Sequence, residues 1–125
     1  MSDPRYAEIA ALLQRCFEGL YSCDTVILQD VLHPGALYAT ASDGALTHLD
    51  MEHYMPIVDA RTSPASNDEP RIFEIDSISF AGPVTALARV QITMLSKRYD
   101  DVLTLLHIDG RWWIMSKIFH VEALQ

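Results

Sequence analysis

Basic residues are scarce in this chain: nine Lys and Arg stand against seventeen Asp and Glu, giving a formal charge of -8 at pH 7. So acidic a balance leaves no electrostatic footprint for a phosphate backbone, and nucleic acid is not expected as a partner. Long apolar runs are missing as well, so no membrane span is expected. Met1-Ser2-Asp3-Pro4-Arg5 has neither the basic nor the apolar region of a signal peptide, which makes a cytoplasmic location the expectation. Cysteine is limited to Cys16 and Cys23. Both fall on one predicted helix, about 10 Å of rise apart, too far for a disulfide, and both read as reduced packing residues.

The familiar chemical motifs are also missing. His48, Glu52 and His53 do not make the His-Glu-x-x-His pattern, and no other His or Cys pair has ligand spacing, so no metal is expected. Without a Gly-x-Ser-x-Gly elbow, a Gly-rich phosphate loop or a dinucleotide fingerprint, a serine hydrolase, a kinase and a dehydrogenase are unsupported. No cofactor is indicated.

What the chain does have is apolar material: 125 residues, half of them hydrophobic, suffice for one domain over residues 1–125. Asp3 before Pro4 predicts a helix N-terminus, followed by the stripe Ile9, Leu12, Leu13, Cys16, Phe17 and Leu20. Asp24 caps a second, short helix through Leu32, which His33-Pro34-Gly35 must end. A strand over residues 37–42 closes at Asp43-Gly44. Asp50 caps a third helix carrying Tyr54, Ile57 and Val58, kept short or kinked by Pro56. Residues 61–70 read as a surface connection. In the strand over residues 72–80, Phe73 and Ile75 point one way and Ile78 and Phe80 the other, which predicts a bulge between them.

From Val84 to Val121 two short turns, Ser96-Lys97 and Asp109-Gly110, separate three runs rich in β-branched and aromatic residues and predict an antiparallel meander. Counting from Asp109-Gly110 pairs Leu105 with Ile114, Asp101 with Ile118 and Tyr99 with His120. Counting from Ser96-Lys97 pairs Ile92 with Asp101 and Ala88 with Leu105. Alternation then puts Val84, Ala86, Ala88, Val90, Ile92, Met94, Leu103, Leu105, Trp112, Ile114 and Ile118 on one inward face. Tyr99, Asp101, Ser116 and His120 join them at one end. An apolar wall with a polar corner describes a small-molecule pocket. Tyr99, Ser116 and Trp112 on that face, His33 after the second helix and Tyr54 on the third are the candidate ligand contacts. Two of these have a structural alternative from their helices: His33 suits a helix C-terminus, and Tyr54 suits amphipathic packing.

The order of elements implies an α+β architecture, with three helices in the N-terminal half packed on a curved antiparallel sheet. That order resembles the nuclear transport factor 2-like superfamily. So do Gly19-Leu20-Tyr21, Leu32 before His33-Pro34, the run from Asp101 to Leu106, the run from Ile108 to Ile114, and Lys117-Ile118-Phe119. The chain is most similar to the superfamily's putative lumazine-binding (SnoaL-like) branch. The resemblance implies a cone-shaped fold enclosing a pocket and a homodimer. Relatives include polyketide cyclases, dehydratases, a ketosteroid isomerase and proteins without catalysis, so fold alone does not assign an activity.

By analogy with the enzymes, Asp101 would abstract a proton beside a carbonyl while His120 or Tyr99 donates a hydrogen bond to the enolate, making Asp101 and His120 the candidate catalytic pair. The structural alternative is that Asp101 pairs with a basic residue, His120 sits at a solvated rim and Tyr99 packs. Two functions therefore stand. One is a pocket protein for a largely apolar or aromatic organic molecule, with or without isomerase, dehydratase or cyclase activity. The other is a noncatalytic dimeric interaction module. The homodimer is expected to form through the mixed face of Arg89, Gln91, Thr104, Met115 and Lys117.

Overall fold

The Asp3 carboxylate accepts a hydrogen bond from the Arg5 amide at 2.9 Å and starts α1 (Pro4–Ser22) in the computed structural model, which describes residues 3–124. Ile9, Leu13, Phe17 and Leu20 form the buried stripe of α1, each full burial stabilising by roughly 1.5–3 kcal/mol. Asp24 caps α2 (Thr25–Val31) by accepting from the Val26 and Ile27 amides. The two helices meet at Gly19, where an added Cβ would lie 2.8 Å from Leu28 Cδ2. Leu32 is not helical as expected. It already belongs to β1 (Leu32–Thr40), because a residue so close to Pro34 gains more from extended geometry than from another helical turn.

Asp50 caps α3 (Met51–Asp59), nine residues long and short as Pro56 requires. Preceding it is a strand that the sequence did not announce, β2 (Thr47–Asp50), paired antiparallel with the end of β1. Four residues are too few to show alternation. Then follow β3 (Ile72–Phe80), β4 (Thr85–Met94), β5 (Lys97–Ile108) and β6 (Arg111–Ala123). The sheet order is β2-β1-β6-β5-β4-β3, antiparallel except where β1 runs parallel to β6. Three helices thus cover one face of a curved, six-stranded, mostly antiparallel sheet, an α+β cone.

Besides an irregularity in β1 between Leu32 and Leu37, two bulges shape the sheet. The expected one lies in β3 between Ile75 and Ser77, and Asp76 there accepts a hydrogen bond from the Gln91 side chain at 3.0 Å. The second was not expected and matters more. Leu105 pairs with Ile114 as predicted, but Thr104 pairs with Ser116, leaving Met115 as an extra residue in β6. Beyond it the inward parity reverses. Asp101 pairs with Phe119 rather than Ile118, and Tyr99 with Val121 rather than His120. Lys117, Phe119 and Val121 therefore turn inward, while Ser116, Ile118 and His120 turn out.

The β4–β5 turn is also displaced from its predicted place. Its central residues are Leu95 and Ser96, with φ of 56° and 58°, so Ile92 pairs with Tyr99 and Asp101 with Val90. Glu69 Oε1 accepts the Leu95 amide at 2.8 Å, a contact from a distant loop that local reading cannot see. The pairing shifts by two residues, so faces are preserved on these strands. Ala86, Ala88, Val90, Ile92, Met94, Leu103, Leu105, Trp112 and Ile114 are all buried as expected. Val84, which lies in the turn before β4, and Ile118, turned out by the bulge, are instead 46% and 57% exposed.

Candidate functional site

The bulge at Met115 creates the polar centre of the molecule. Lys117 on β6 and Asp101 on β5 are both buried, and the Lys117 Nζ lies 3.3 Å from Asp101 Oδ2. The second carboxylate oxygen, Oδ1, is buried with no hydrogen-bond partner among the described residues. Around the ammonium stand three aromatic rings, Tyr38, Tyr99 and Phe119, with centroids 5.6, 5.6 and 5.3 Å from Nζ. These distances suit cation–π attraction, which partly replaces the lost hydration.

Burial is the largest influence on Asp101 and raises its pKa, with Lys117 opposing. Burial also works against the Lys117 charge. Asp101 chiefly, with Tyr54, Tyr38 and Cys16, outweighs it and holds the ammonium protonated above its ordinary range. Cys16, facing the pair from α1, has its thiol pushed up to about 11 by burial, so it stays a neutral packing group. Neither cysteine is in a disulfide.

The pair faces an enclosure walled by Leu13, Cys16, Phe17 and Leu20 of α1, Tyr54 of α3, and Val90, Ile92, Leu103 and Ile114 of the sheet. The free space is about 20 Å³, room for roughly one water. An organic ring enters only if wall side chains move. Beyond the Tyr38, Tyr99 and Phe119 rings lies an open groove of about 350 Å³, also lined by Thr40, Ser42, Asp43, Thr47, Arg61, Lys97 and Val121. Tyr38 stacks on Tyr54 with centroids 4.3 Å apart, so the aromatic partition touches both spaces.

Of the residues singled out by sequence, Asp101 and Tyr54 line the enclosure, and Tyr99 lines the groove side of the partition. His120 does not join them. Its side chain is 61% exposed on the outer sheet face, 3.8 Å from Glu122. Ser116 also faces out and shares a hydrogen bond of 2.5 Å with Thr104. His33 accepts the Gly35 amide at 3.0 Å and meets Trp113 edge-on, away from the enclosure. Trp112 is inward but packs against Phe80 and His107 at the far end of the sheet. Lys117 leaves the expected dimer face for the interior.

Lys117, Tyr38 and Arg61 were missed. A signal for the phase change did exist, because Ser116, His120 and Glu122 are polar at even positions while Phe119 and Val121 are apolar at odd ones, although Lys117 and Ile118 run against it. The reverse holds at Trp112 and Ile114. Among the described residues no three His, Cys, Asp or Glu side chains gather to hold a metal ion, and no helix is long and apolar enough to cross a membrane.

The chain is thus an α+β cone with one buried ion pair set in an apolar enclosure. The family described as "Putative lumazine-binding" matches residues 4–120, and the chain belongs to that family. It is similar in structure to an NTF2-like protein of unknown function from Shewanella baltica, with 25% identity over 95% of this chain and 94% of the other, at a TM-score of 0.83. A second from Silicibacter pomeroyi shares 23% identity over 98% and 100%, at 0.80. A cystatin-like fold protein from Nostoc punctiforme shares 15% over 96% and 78%, at 0.72. No curated protein matches.

Proposed function

We propose that the chain binds a small, largely apolar or aromatic organic molecule between helices and sheet, with Asp101 and Lys117 as the polar end of the site. The observation that carries this reading is Asp101 Oδ1, a carboxylate oxygen buried without a partner against an apolar enclosure. Leaving such an atom unpaired costs about 1–3 kcal/mol or more, and a ligand N–H or O–H recovers that cost. The same pair has the parts for proton transfer beside a carbonyl. Oδ1 takes the proton, and the Lys117 ammonium steadies the negative oxygen that develops. Lys117 thus stands in the electrophilic place first assigned to His120. Isomerase, dehydratase and cyclase steps all share this proton abstraction.

A thermal-shift screen of neutral conjugated ketones and heteroaromatics, on wild type and Asp101→Asn, tests the reading. Stabilisation of wild type that weakens in the variant supports it, and any turnover should fall by a factor on the order of 100 to 10,000. If no compound stabilises wild type, the pocket reading is lost.

The noncatalytic module draws on the outer sheet face, where Ile118 and Leu87 are 57% and 38% exposed beside Val102. The Arg89–Asp100 pair at 3.1 Å rims this patch. We propose that face as the contact between two copies of the chain, Arg89 of one near Asp100 of the other across a two-fold axis. A dimer made this way leaves the enclosure free.

A further inference from the structure

In a chain with a net charge of -8, most cations are already neutralised. Arg5, Arg15, Arg71, Arg89, Arg111 and Lys117 each meet a carboxylate. Arg61, Lys97 and Arg98 have no ion-pair partner among the described residues, and the first two line the same groove. Arg61 is half-buried just past the end of α3, with the Tyr38 phenol as its side-chain neighbour. Burial opposes its charge, but the Tyr54, Tyr38 and Tyr99 phenols outweigh that effect and hold it protonated. Asp43, the carboxylate lining the same groove, is exposed, and its Oδ1 accepts the Ala45 amide at 3.1 Å.

The groove is therefore two-sided. One side offers Arg61, Lys97 and the Thr47 hydroxyl, while the Thr40 and Ser42 hydroxyls are bonded to the Phe119 carbonyl and to each other. The other offers the rings of Tyr38, Tyr99 and Phe119, behind which lies the Lys117 ammonium. Its volume of about 350 Å³ falls at the lower end of the range that holds a small organic molecule, about 300–1,000 Å³. Guanidinium is the side chain best shaped for a carboxylate, giving two parallel N–H donors.

We infer that the ligand is an aromatic or conjugated monocarboxylate, its carboxylate held by Arg61 at the groove and its flat body against the aromatic partition that leads to Lys117 and Asp101. This rests on the pocket reading and adds the charge of the ligand. Arg61 and Lys97, neither with an ion-pair partner among the described residues, make this end more cationic than a neutral ketone needs. The aromatic wall makes the body more apolar than a free inorganic anion supplies.

Calorimetric titration with trans-cinnamate, its neutral amide cinnamamide, and acetate tests the inference on wild type, Arg61→Gln and Arg61→Lys, each checked for an unchanged thermal midpoint. Cinnamate should bind wild type at least about tenfold more tightly than cinnamamide, the worth of one charge-assisted hydrogen bond, and acetate should not bind measurably. Arg61→Gln should remove that advantage and leave cinnamamide unchanged, while Arg61→Lys keeps most of it. Equal binding of cinnamate and cinnamamide, or a preference that survives Arg61→Gln, overturns the carboxylate assignment and leaves the pocket reading standing. If neither aromatic compound binds, both fall.

Discussion

Replacing Lys117 with Met keeps most of the stem and removes the charge, leaving Asp101 buried at 1% exposure with neither oxygen paired. Breaking one side of a buried pair costs about 3–5 kcal/mol. For a domain of this size each kcal/mol moves the thermal midpoint by roughly 3–5 °C, so a fall of about 10–20 °C is expected at pH 7. Acid should narrow the deficit, because Asp101 loses its only cationic partner and becomes neutral on protonation. Since burial outweighs Lys117 in setting the Asp101 pKa, replacing both residues, with Asp101→Leu added, should recover most of the loss. The assay is a double-mutant cycle by urea and thermal melts at pH 5 and pH 7. A Lys117→Met loss below about 1 kcal/mol, the size of an exposed pair, or a loss that grows in acid, would refute the buried-pair energetics.

Asp101 also sets a sign for pH dependence. Its folded pKa is raised above the ordinary 3.8, so the native state holds the proton longer, and its contribution to stability is fullest below that value and declines as pH rises through the folded pKa. The stability of wild type relative to Asp101→Asn should therefore fall between pH 3 and pH 7, and a rise would contradict the shift. Deleting Met115 removes the bulge and turns Lys117 outward, so the variant should lose cooperative unfolding by near-ultraviolet circular dichroism, whereas native-like melting would mean the bulge is dispensable. Glu69→Ala should cost about 1–3 kcal/mol in urea melts by stranding the Leu95 amide, and no change would show that the turn holds itself. Ile118→Glu should convert a sedimenting dimer to a monomer of 14.1 kDa, and a dimer that survives would move the interface elsewhere.

Most of the architecture was legible because it is written in local signals. Asp3, Asp24 and Asp50 each sit where an N-cap belongs, and each caps its helix. Asp109-Gly110 set the first pairs of β5 and β6 correctly. The site was less legible because one extra residue reverses every side chain beyond it. Asp101 lies on the unbulged strand and kept its inward place, whereas His120 and Ser116 lie past Met115 and did not. The phase change in β6 was visible, but a register counted straight from one turn runs over it. Arg61 was hidden for another reason. It belongs to a connection with no periodicity, and only the tertiary fold brings it to Tyr38 and Tyr99.

The most direct test is a carboxyl- and imidazole-resolved NMR titration of the protein with a neutral conjugated ketone, following Asp101 and His120 together. Asp101 should titrate above 3.8 in the free protein and its resonance should move as the ketone binds, while the His120 ring, on the outer sheet face, stays unchanged. An Asp101 resonance unmoved at saturation, or a response at His120 instead, would contradict the assignment of the site to the Asp101–Lys117 enclosure.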